Sequence, residues 1–421
     1  MTTEIAPETG IFPDYPTLLT GPLTERQHRL LERARMHAKD FATRADEHDR
    51  ENSYPLENVA AMKESGYAHM TLPERHGGED VNLLELCACQ EQLAQGCGGT
   101  AIAINMHIFT LGSMQYDMGG DPARDAQREM MLGMSGSQKL IFSGSFSETG
   151  TPGAYQFPQT KAVKVEGGWK VNGRKSYSSN LPAAEVVAFG VHLVGHPDGD
   201  DMITTAFMPM STPGISTPGN SSWDVMGMRA SGSWDIVLED VFIPDMMMPP
   251  AMKAGAGLQS MSAFLSWFTI TVASVYTGIA QAAVDWVTDY ITTRKPPTEE
   301  RPLSHMPGMQ YQLAEMIALN EASRGLLRRS AEDWMAKHWT PQEAGSKGAI
   351  CKYIVSNNNV RVLNLAMDIA GGPGLFRGFG LERLYRDVRA GKQHPPSDMI
   401  GLEGIAKYHL GIAQDFRPRW G

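Results

Sequence analysis

The chain has 421 residues, more than one hydrophobic core usually serves, so two or three domains are expected. Its hydrophobic content of 42% and charged content of 20% indicate a globular protein rather than a disordered one. A formal net charge of −10 argues against a nucleic-acid partner, because phosphate binding needs a basic face. The first ten residues are acidic and lack the charged-then-apolar pattern of a signal peptide, which favours a cytoplasmic location.

The four cysteines, Cys87, Cys89, Cys97 and Cys351, form no CxxC pair, and the first three fall in one predicted helix. No histidine follows them at the spacing that zinc sites use. We therefore expect reduced thiols, with neither a disulfide framework nor a metal site.

The segment 254–284 carries no charge and approaches the length of a membrane span. Serine and threonine recur through it, no second such segment exists, and basic clusters do not flank it. A helix that is apolar on all sides is more often the centre of a helical bundle. The sequence therefore predicts a buried helix here and no membrane span.

Residues 1–140 are predicted to be mostly helical. Thr24 and Gln27 have the spacing of a capping box, which predicts a helix over 25–48. A second helix follows Pro55 and ends at Gly66, and two more are expected over 83–95 and 100–114.

The pattern changes near residue 140. Alternating runs over 160–165 and 169–171 flank two glycines and predict a hairpin, and 186–191 and 236–238 are also predicted strands. Residues 141–250 are therefore predicted to form a β domain. Helical spacing returns over 259–293, 307–337, 341–371, 380–390 and 401–415. No GxGxxG, P-loop, HExxH or GxSxG motif is present, which disfavours the enzyme classes that those motifs mark.

Four segments, in order along the chain, resemble the acyl-CoA dehydrogenase family. Residues 146–150 (FSETG) are similar to the start of its "TEPGAGSD" segment, and 171–180 (VNGRKSYSSN) to its "INGxKxWITN" strand. Residues 226–244 are similar to "GxRxSxxxxxxFxDVxVP", and 368–387 to the C-terminal signature. The resemblance implies an α+β multidomain fold: an N-terminal helical domain (1–140), a central β-barrel (141–250) and a C-terminal four-helix bundle (251–421). It also implies a homotetramer with FAD at subunit interfaces.

By the same resemblance, seven residues are candidates for holding FAD: Phe146, Ser147, Tyr177, Ser179, Arg294, Gly371 and Gly372. The serine hydroxyls would hydrogen-bond the flavin, and the tyrosine stands where the family has a tryptophan against the flavin ring. The glycines would let a neighbouring subunit's cofactor approach. The serines could instead decorate strand faces, the glycines could end a helix, and the arginine, followed here by Lys-Pro-Pro rather than Phe-Gly, could be a surface residue.

The family's catalytic base is a glutamate at one of two places. Counting from the family motifs puts those places at Pro395 and Phe268, so neither holds a carboxylate. His394 and Asp398 flank the first place and are the candidate bases, with Glu403 as a further possibility. Flavin monooxygenases of the same fold also lack the glutamate and are similar in carrying a His-x-Pro sequence here.

Three functions follow as hypotheses. The first is dehydrogenation of an acyl-CoA or acyl-carrier thioester, with electrons passed to an electron-transfer flavoprotein. The second is a monooxygenase that uses reduced flavin and O2 and depends on a flavin reductase. The third is a flavin- or acyl-binding scaffold without turnover.

Overall fold

The N-terminal part of the chain is helical, as predicted. The computed structural model describes residues 13–117, 120–151, 153–255 and 261–412. Its first helices are α1 (Glu25–Glu51), α2 (Leu56–Glu64), α3 (Leu83–Gly96), α4 (Gly98–Met114) and α5 (Pro122–Gln138). The capping box is confirmed, since Thr24 Oγ1 accepts from Gln27 N at 3.2 Å and Gln27 Oε1 accepts from Thr24 N at 3.1 Å.

All four cysteines are buried and unbonded. Cys97 corrects one prediction, because it does not belong to the helix that carries Cys87 and Cys89. It has extended backbone angles between two glycines, and its Sγ accepts from Thr100 N at 3.5 Å, so it caps α4. Burial raises the pKa of the Cys89 and Cys351 thiols to about 12, which leaves both unreactive as nucleophiles.

The middle of the chain forms an open mixed sheet rather than the closed barrel that was predicted. Its strands are β1 (Phe142–Ser145), β2 (Lys161–Val165), β3 (Gly168–Ser178), β4 (Val186–Val194), β5 (Met202–Pro209), β6 (Ile215–Ser216), β7 (Trp234–Pro244) and β8 (Met252–Lys253). They pair in the order β6-β7-β3-β2-β4-β5-β8, with β1 beside β4. The hairpin of β2 and β3 is confirmed. Closure needs pairing along both edges, and the described edge strands have only two residues each.

The C-terminal part returns to helices. They are α6 (Ser262–Thr293), α7 (Pro307–Met335), α8 (Pro341–Ala370), α9 (Leu381–Val388) and α10 (Asp398–Leu410). Each begins within three residues of its predicted start, and residues 259–260 and 413–415 of the predicted ranges lie outside the part of the chain that the structure describes.

Helix α6 is the common centre of both helical regions. It packs against α3 and α4 on one side and against α7, α8 and α9 on the other. Among the described residues, only α6 is long and apolar enough to cross a membrane, and 83% of its most apolar stretch is buried inside the protein. Gly278 allows the closest approach, because a Cβ there would lie 2.2 Å from the Glu91 carbonyl oxygen of α3. The uncharged segment is therefore the core of the fold.

A buried ion pair ties three of these helices together. Arg324 of α7 places Nε 2.5 Å from Glu91 Oε1 of α3, and both side chains are almost fully buried. The same guanidinium donates to Gln281 Oε1 of α6 at 2.7 Å. Burying these charges is favourable only while both partners remain, so loss of either one would leave an uncompensated charge.

The three regions of the chain meet at the Arg-Asp pair of the C-terminal signature. Arg386 of α9 donates to both carboxylate oxygens of Asp49 in α1, at 3.0 and 2.5 Å. It also donates to the Met226 carbonyl, in the loop before β7, at 2.7 Å. Asp387 accepts from Met228 N in that loop. This signature therefore joins the N-terminal helices, the sheet and the C-terminal helices at one point.

Two buried histidines lie where the N-terminal helices meet β1. The rings of His69 and His107 are edge to face at 5.2 Å, and Phe142 N of β1 donates to His107 Nδ1 at 3.1 Å. His69 Nε2 lies 3.2 Å from the Leu140 carbonyl oxygen. Burial lowers the pKa of His69 to about 4 and holds that of His107 well below its usual range.

These histidines predict acid-labile stability. The unfolded chain protonates them near pH 6.5, but the folded chain does not, so stability falls as the pH drops below about 6.5 and towards 4. The loss should approach about 1.4 kcal/mol per pH unit for each histidine. The free energy of unfolding, measured with urea between pH 7.5 and 5, should fall less steeply with decreasing pH in His69→Gln than in the wild type. His305→Gln, at an exposed site, should match the wild type. Equal slopes for all three proteins would contradict the prediction.

Candidate functional site

A cleft opens between the helical N-terminal region, the sheet and the start of α6. Its walls come from α4, α5, β1, β5 and the first turn of α6. Most of the lining is apolar, with charged groups on the side of α5; it includes Met114, Phe142, Phe146, Phe207, Phe264, Asp117, Arg124 and Arg128. Phe146, a predicted cofactor residue, therefore lies in the wall of an apolar cleft.

A row of aromatic rings leads from this cleft into the protein. Phe146 contacts Phe264 with ring centroids 5.5 Å apart, and Phe264 contacts Phe109 at 5.0 Å. Phe109 contacts Phe268 at 5.5 Å, and Phe268 contacts His394 at 6.4 Å. The row connects the segment that resembles the family's flavin-binding segment to the candidate base.

The two places where the family carries its glutamate meet at the end of this row. Phe268 lies in the second turn of α6, whereas His394 and Pro395 lie in the segment between α9 and α10. These stretches are far apart in the chain, yet the Phe268 and His394 rings are neighbours. The two positions counted from the sequence thus lie at one site, and the His394 imidazole lies there with them.

His394 is neutral at ordinary pH. Burial, together with the nearby ammonium of Lys352, lowers the pKa of its ring to about 3. The ring stands 5.7 Å from the ring of Tyr276, and the His394 backbone N–H donates to the Ala390 carbonyl at 3.2 Å. Among the described residues, none makes a hydrogen bond with either ring nitrogen, so both nitrogens have unused hydrogen-bonding capacity.

Tyr276 is a second polar group at this site. Its side chain is fully buried in α6, and its hydroxyl has no hydrogen-bond partner among the described residues. Burial holds its pKa well above the usual range, so it remains a neutral phenol that can donate. The sequence did not single it out, because a tyrosine in an apolar helix has the pattern of an ordinary core residue.

Asp398 and Glu403 are occupied by other partners. Asp398 begins α10 and lies 3.3 Å from Lys392 Nζ and 3.7 Å from Lys352 Nζ. Its Oδ2 also accepts from Asn357 Nδ2 at 3.0 Å. Glu403 pairs with Lys407 of the same helix at 2.9 Å. His394 is therefore the better candidate for a group that meets a substrate.

The predicted flavin residues of the sheet lie on two neighbouring segments. Ser147 is partly exposed, and its carbonyl accepts from Ser176 N at 3.0 Å. Tyr177 is 63% exposed with a left-handed φ of 58°, and its ring meets Trp223 edge to face. Ser179 is buried, with its hydroxyl 2.7 Å from that of Ser233. Ser147 and Tyr177 can thus reach a ligand directly, whereas the Ser179 hydroxyl already has a partner.

A buried ion pair holds these two segments together. Lys175 Nζ lies 2.6 Å from Glu148 Oε1, with both side chains almost completely buried. The same oxygen accepts from Thr160 N at 2.9 Å and from its hydroxyl at 2.7 Å. These bonds and the Lys175 ammonium lower the pKa of Glu148 despite its burial. The pair fixes Ser147 and Tyr177 relative to each other.

Arg294, Gly371 and Gly372 lie at the other end of the bundle. Arg294 follows the last residue of α6, and its guanidinium stands over the Tyr290 ring at 5.5 Å. The Tyr290 hydroxyl donates to the Ala370 carbonyl at 3.4 Å, immediately before Gly371. Gly371 has a φ of 59°, and a Cβ on either glycine would meet no atom within 4 Å. The three residues therefore form an open surface together.

One chain alone cannot bring the two groups of predicted residues to one dinucleotide. Phe146 contacts Phe264 near the start of α6, and Arg294 follows its end. Thirty residues of α-helix span roughly 45 Å at ~1.5 Å per residue. Both groups can hold the same cofactor only if each comes from a different copy of the chain.

Lys352 is a residue at this site that the sequence reading missed. It lies in α8 with its side chain 1% exposed, and its Nζ donates to the Pro396 carbonyl at 3.0 Å. A signal was available, since Ala349, Val355 and Ser356 at helical spacing predict a buried stripe that includes it.

Both helical parts of the chain match known protein-family descriptions. The family description "Acyl-CoA dehydrogenase, N-terminal domain" matches residues 24–132, and "Acyl-CoA dehydrogenase, C-terminal domain" matches residues 255–393. The putative acyl-CoA dehydrogenase YdbM of Bacillus subtilis is 29% identical over 389 residues, which are 91% of this chain and 97% of the relative.

Two solved structures share the fold. Butyryl-CoA dehydrogenase from Megasphaera elsdenii superposes with a TM-score of 0.81 at 23% identity, covering 93% of this chain and 100% of that one. KijD3, in complex with FMN and a dTDP-linked amino sugar, superposes with a TM-score of 0.84 at 23% identity, covering 97% and 100%. At such identity the superpositions show the fold alone. The two domain matches, which lie on either side of the sheet and cover more than half of the chain, establish that it belongs to the acyl-CoA dehydrogenase family.

Proposed function

We propose that this chain is an FAD-dependent oxidoreductase that converts an acyl thioester, carried by CoA or by an acyl carrier, into its α,β-unsaturated form. The observation that carries the proposal is the position of His394. It stands where both places used by the family for a carboxylate converge, at the end of an aromatic row that leads from the cleft. The relatives named as acyl-CoA dehydrogenases support the same reaction.

The side chains assigned to the cofactor suit a flavin. Tyr177 offers an exposed ring for a planar ring system, Ser147 offers a partly exposed hydroxyl, and Gly371 and Gly372 offer bare backbone for close approach. When bound, the flavin supplies an acceptor for the hydride that leaves the β-carbon. We include FAD, rather than flavin in general, in the proposal because two separate binding surfaces suit a dinucleotide.

In this proposal His394 takes the proton from the α-carbon of the thioester. Its ring is unprotonated at neutral pH. The low pKa also weakens it as a base, because a general base works best with a pKa near the working pH. Pro395 has no N–H to donate to the thioester carbonyl. The Tyr276 hydroxyl is a donor that can take part in polarising that carbonyl.

The assembly and partners follow from the same geometry. We propose a homotetramer in which the open surface around Arg294 and Gly371 of one copy completes the cofactor site of another. The electron acceptor would be an electron-transfer flavoprotein, and the enzyme would work in the cytoplasm.

A second candidate function is a monooxygenase that uses reduced flavin and O2 and is served by a flavin reductase. The observation that favours it is the lack of a carboxylate at both family positions, beside which lie a neutral imidazole and a neutral phenol. His394 and Tyr276 would offer hydrogen bonds next to a bound flavin, a role that suits two neutral groups better than the removal of a proton does.

The first test of the proposal is an anaerobic absorbance titration. The purified protein should be yellow, and one member of a panel of straight-chain, branched and aromatic acyl-CoAs should bleach its flavin band under argon. The matching acyl-pantetheines show whether the carrier is needed. If no thioester bleaches the flavin, and added reduced flavin with O2 oxygenates a small substrate, the monooxygenase is the correct function.

The shared cofactor site predicts the effect of Gly372→Leu. A Cβ at this position meets no atom of its own chain within 4 Å, so the fold should survive, but the leucine would crowd a cofactor held by a neighbouring copy. We expect less flavin per chain after gel filtration, with an unchanged far-UV circular dichroism spectrum. Gly345→Leu, at an exposed site near the other end of α8, is the matched control and should keep its flavin. Full flavin content in both variants would place the dinucleotide elsewhere.

The role of His394 predicts a kinetic effect without loss of cofactor. His394→Gln should retain flavin and slow its reduction by the acyl thioester roughly 10²–10⁴-fold, the usual contribution of a general base. His409→Gln, at an exposed site, should reduce at the wild-type rate. Stopped-flow absorbance under argon measures both rates, and a wild-type rate in the His394 variant would remove this residue from the mechanism.

A further inference from the structure

One face of α8 holds the segment that carries His394. Ser356 Oγ donates to the Gly391 carbonyl at 3.3 Å, and one turn earlier Lys352 Nζ donates to the Pro396 carbonyl at 3.0 Å. The two carbonyls lie on either side of His394 in the chain. The helix therefore fixes the segment on both sides of the imidazole.

The lysine is part of a closed polar network. Its Nζ lies 3.7 Å from Asp398 Oδ1, which has no hydrogen bond of its own to a described residue. Asp398 Oδ2 lies 3.3 Å from Lys392 Nζ and accepts from Asn357 Nδ2 at 3.0 Å. Lys392 Nζ in turn donates to Asn357 Oδ1 at 2.7 Å. The network joins α8 to the residues just before and just after His394.

The buried ammonium of Lys352 is stable only in a position where it keeps its partners. A buried charge is unfavourable unless it is paired and hydrogen-bonded, and Lys352 is 1% exposed. Its partners are a backbone carbonyl and one carboxylate of the same short segment. Movement of the segment would leave the ammonium without partners, so the charge and the segment's conformation stabilise each other.

We propose that Lys352 is a positioning residue for the reaction: its ammonium, held by the Pro396 carbonyl and Asp398, fixes the His394 ring against Phe268 and Tyr276. The inference rests on the proposed function, in that His394 is the group that meets the substrate. Lys352 acts through His394 and does not itself touch the substrate.

The lysine also gives the site a dependence on alkaline pH. Burial lowers its pKa to about 8, and Asp398 opposes that shift. The ammonium is thus present below about pH 8 and is lost as the pH rises through that value. The titratable or charged described groups that face it are Asp398, Lys392 and His394, and the low pKa of His394 excludes its titration in this range.

The experiment compares Lys352→Met, Lys352→Arg and the control Lys347→Met, an exposed site on the same helix. Flavin reduction by the thioester found in the titration is followed from pH 6 to 9.5. Lys352→Met should lower the limiting rate roughly 10- to 100-fold, the effect of a small misplacement, with little change in flavin content or KM. Lys352→Arg should recover much of the rate, and its alkaline decline should move above the wild-type value because a guanidinium stays charged.

Hydrogen exchange measured by mass spectrometry gives a readout that needs no turnover. Peptides covering 389–400 should take up deuterium faster in Lys352→Met than in the wild type or in Lys347→Met. Equal uptake in all three proteins overturns the proposal. So does a wild-type rate in Lys352→Met, or, if that variant does not fold, an unmoved alkaline decline in Lys352→Arg.

If no thioester reduces the flavin of the wild type, the proposed function fails while the exchange comparison still decides whether Lys352 fixes the segment. The two failures are therefore distinguishable.

Discussion

The fold depends on the burial of the apolar part of α6. An apolar helix of this length is stable in water only when other elements cover it, and both helical regions contribute to that cover. Because its apolar part is covered, α6 is a rigid reference for the site. Its first turns carry Phe264 and Phe268 to the cleft, and its end presents Arg294 on the far surface. These two regions are separated by the length of one helix, which is why the proposed shared dinucleotide would be held by two copies of the chain.

A sequence motif does not by itself show the structural role of its residues, as the Arg-Asp pair of α9 illustrates. Arg386 and Asp387 make contacts with α1 and with the loop before β7, so their role is to join three regions. This junction fixes the start of the segment that follows α9. Lys352 and Ser356 bind two backbone carbonyls of that segment, and its His394 ring lies next to Phe268. The position of the imidazole is thus the product of two sets of polar contacts outside the aromatic row.

In the proposed site, an imidazole next to the family's carboxylate position is the candidate base. A buried carboxylate has its pKa raised towards neutrality and becomes a stronger base, whereas a buried imidazole has its pKa lowered and becomes a weaker one. Lys352 strengthens that effect on His394. His394 is therefore a neutral hydrogen-bonding group with little power to take a proton. A neutral imidazole can donate a hydrogen bond but is a weak base, and this is why proton abstraction and oxygenation are the two reactions to compare.

The sequence by itself determined most of the helices and the family. Hydrophobic periodicity predicted those helices to within a few residues but not α5, and only some of the strands were predicted. The capping box fixed the start of α1, and the count from two motifs led to Phe268 and Pro395. These features are local or depend on the spacing of short motifs, so no tertiary contact is needed to find them. The tertiary structure decided the open sheet, because closure depends on edge pairing between strands distant in sequence. It also separated His394 from Asp398, since only packing shows that the carboxylate is held by Lys352, Lys392 and Asn357 while the imidazole faces the aromatic row. The role of Lys352 was also decided by tertiary packing. Its partners, Asp398 and the Pro396 carbonyl, lie far along the chain, and only the fold brings them to the buried ammonium.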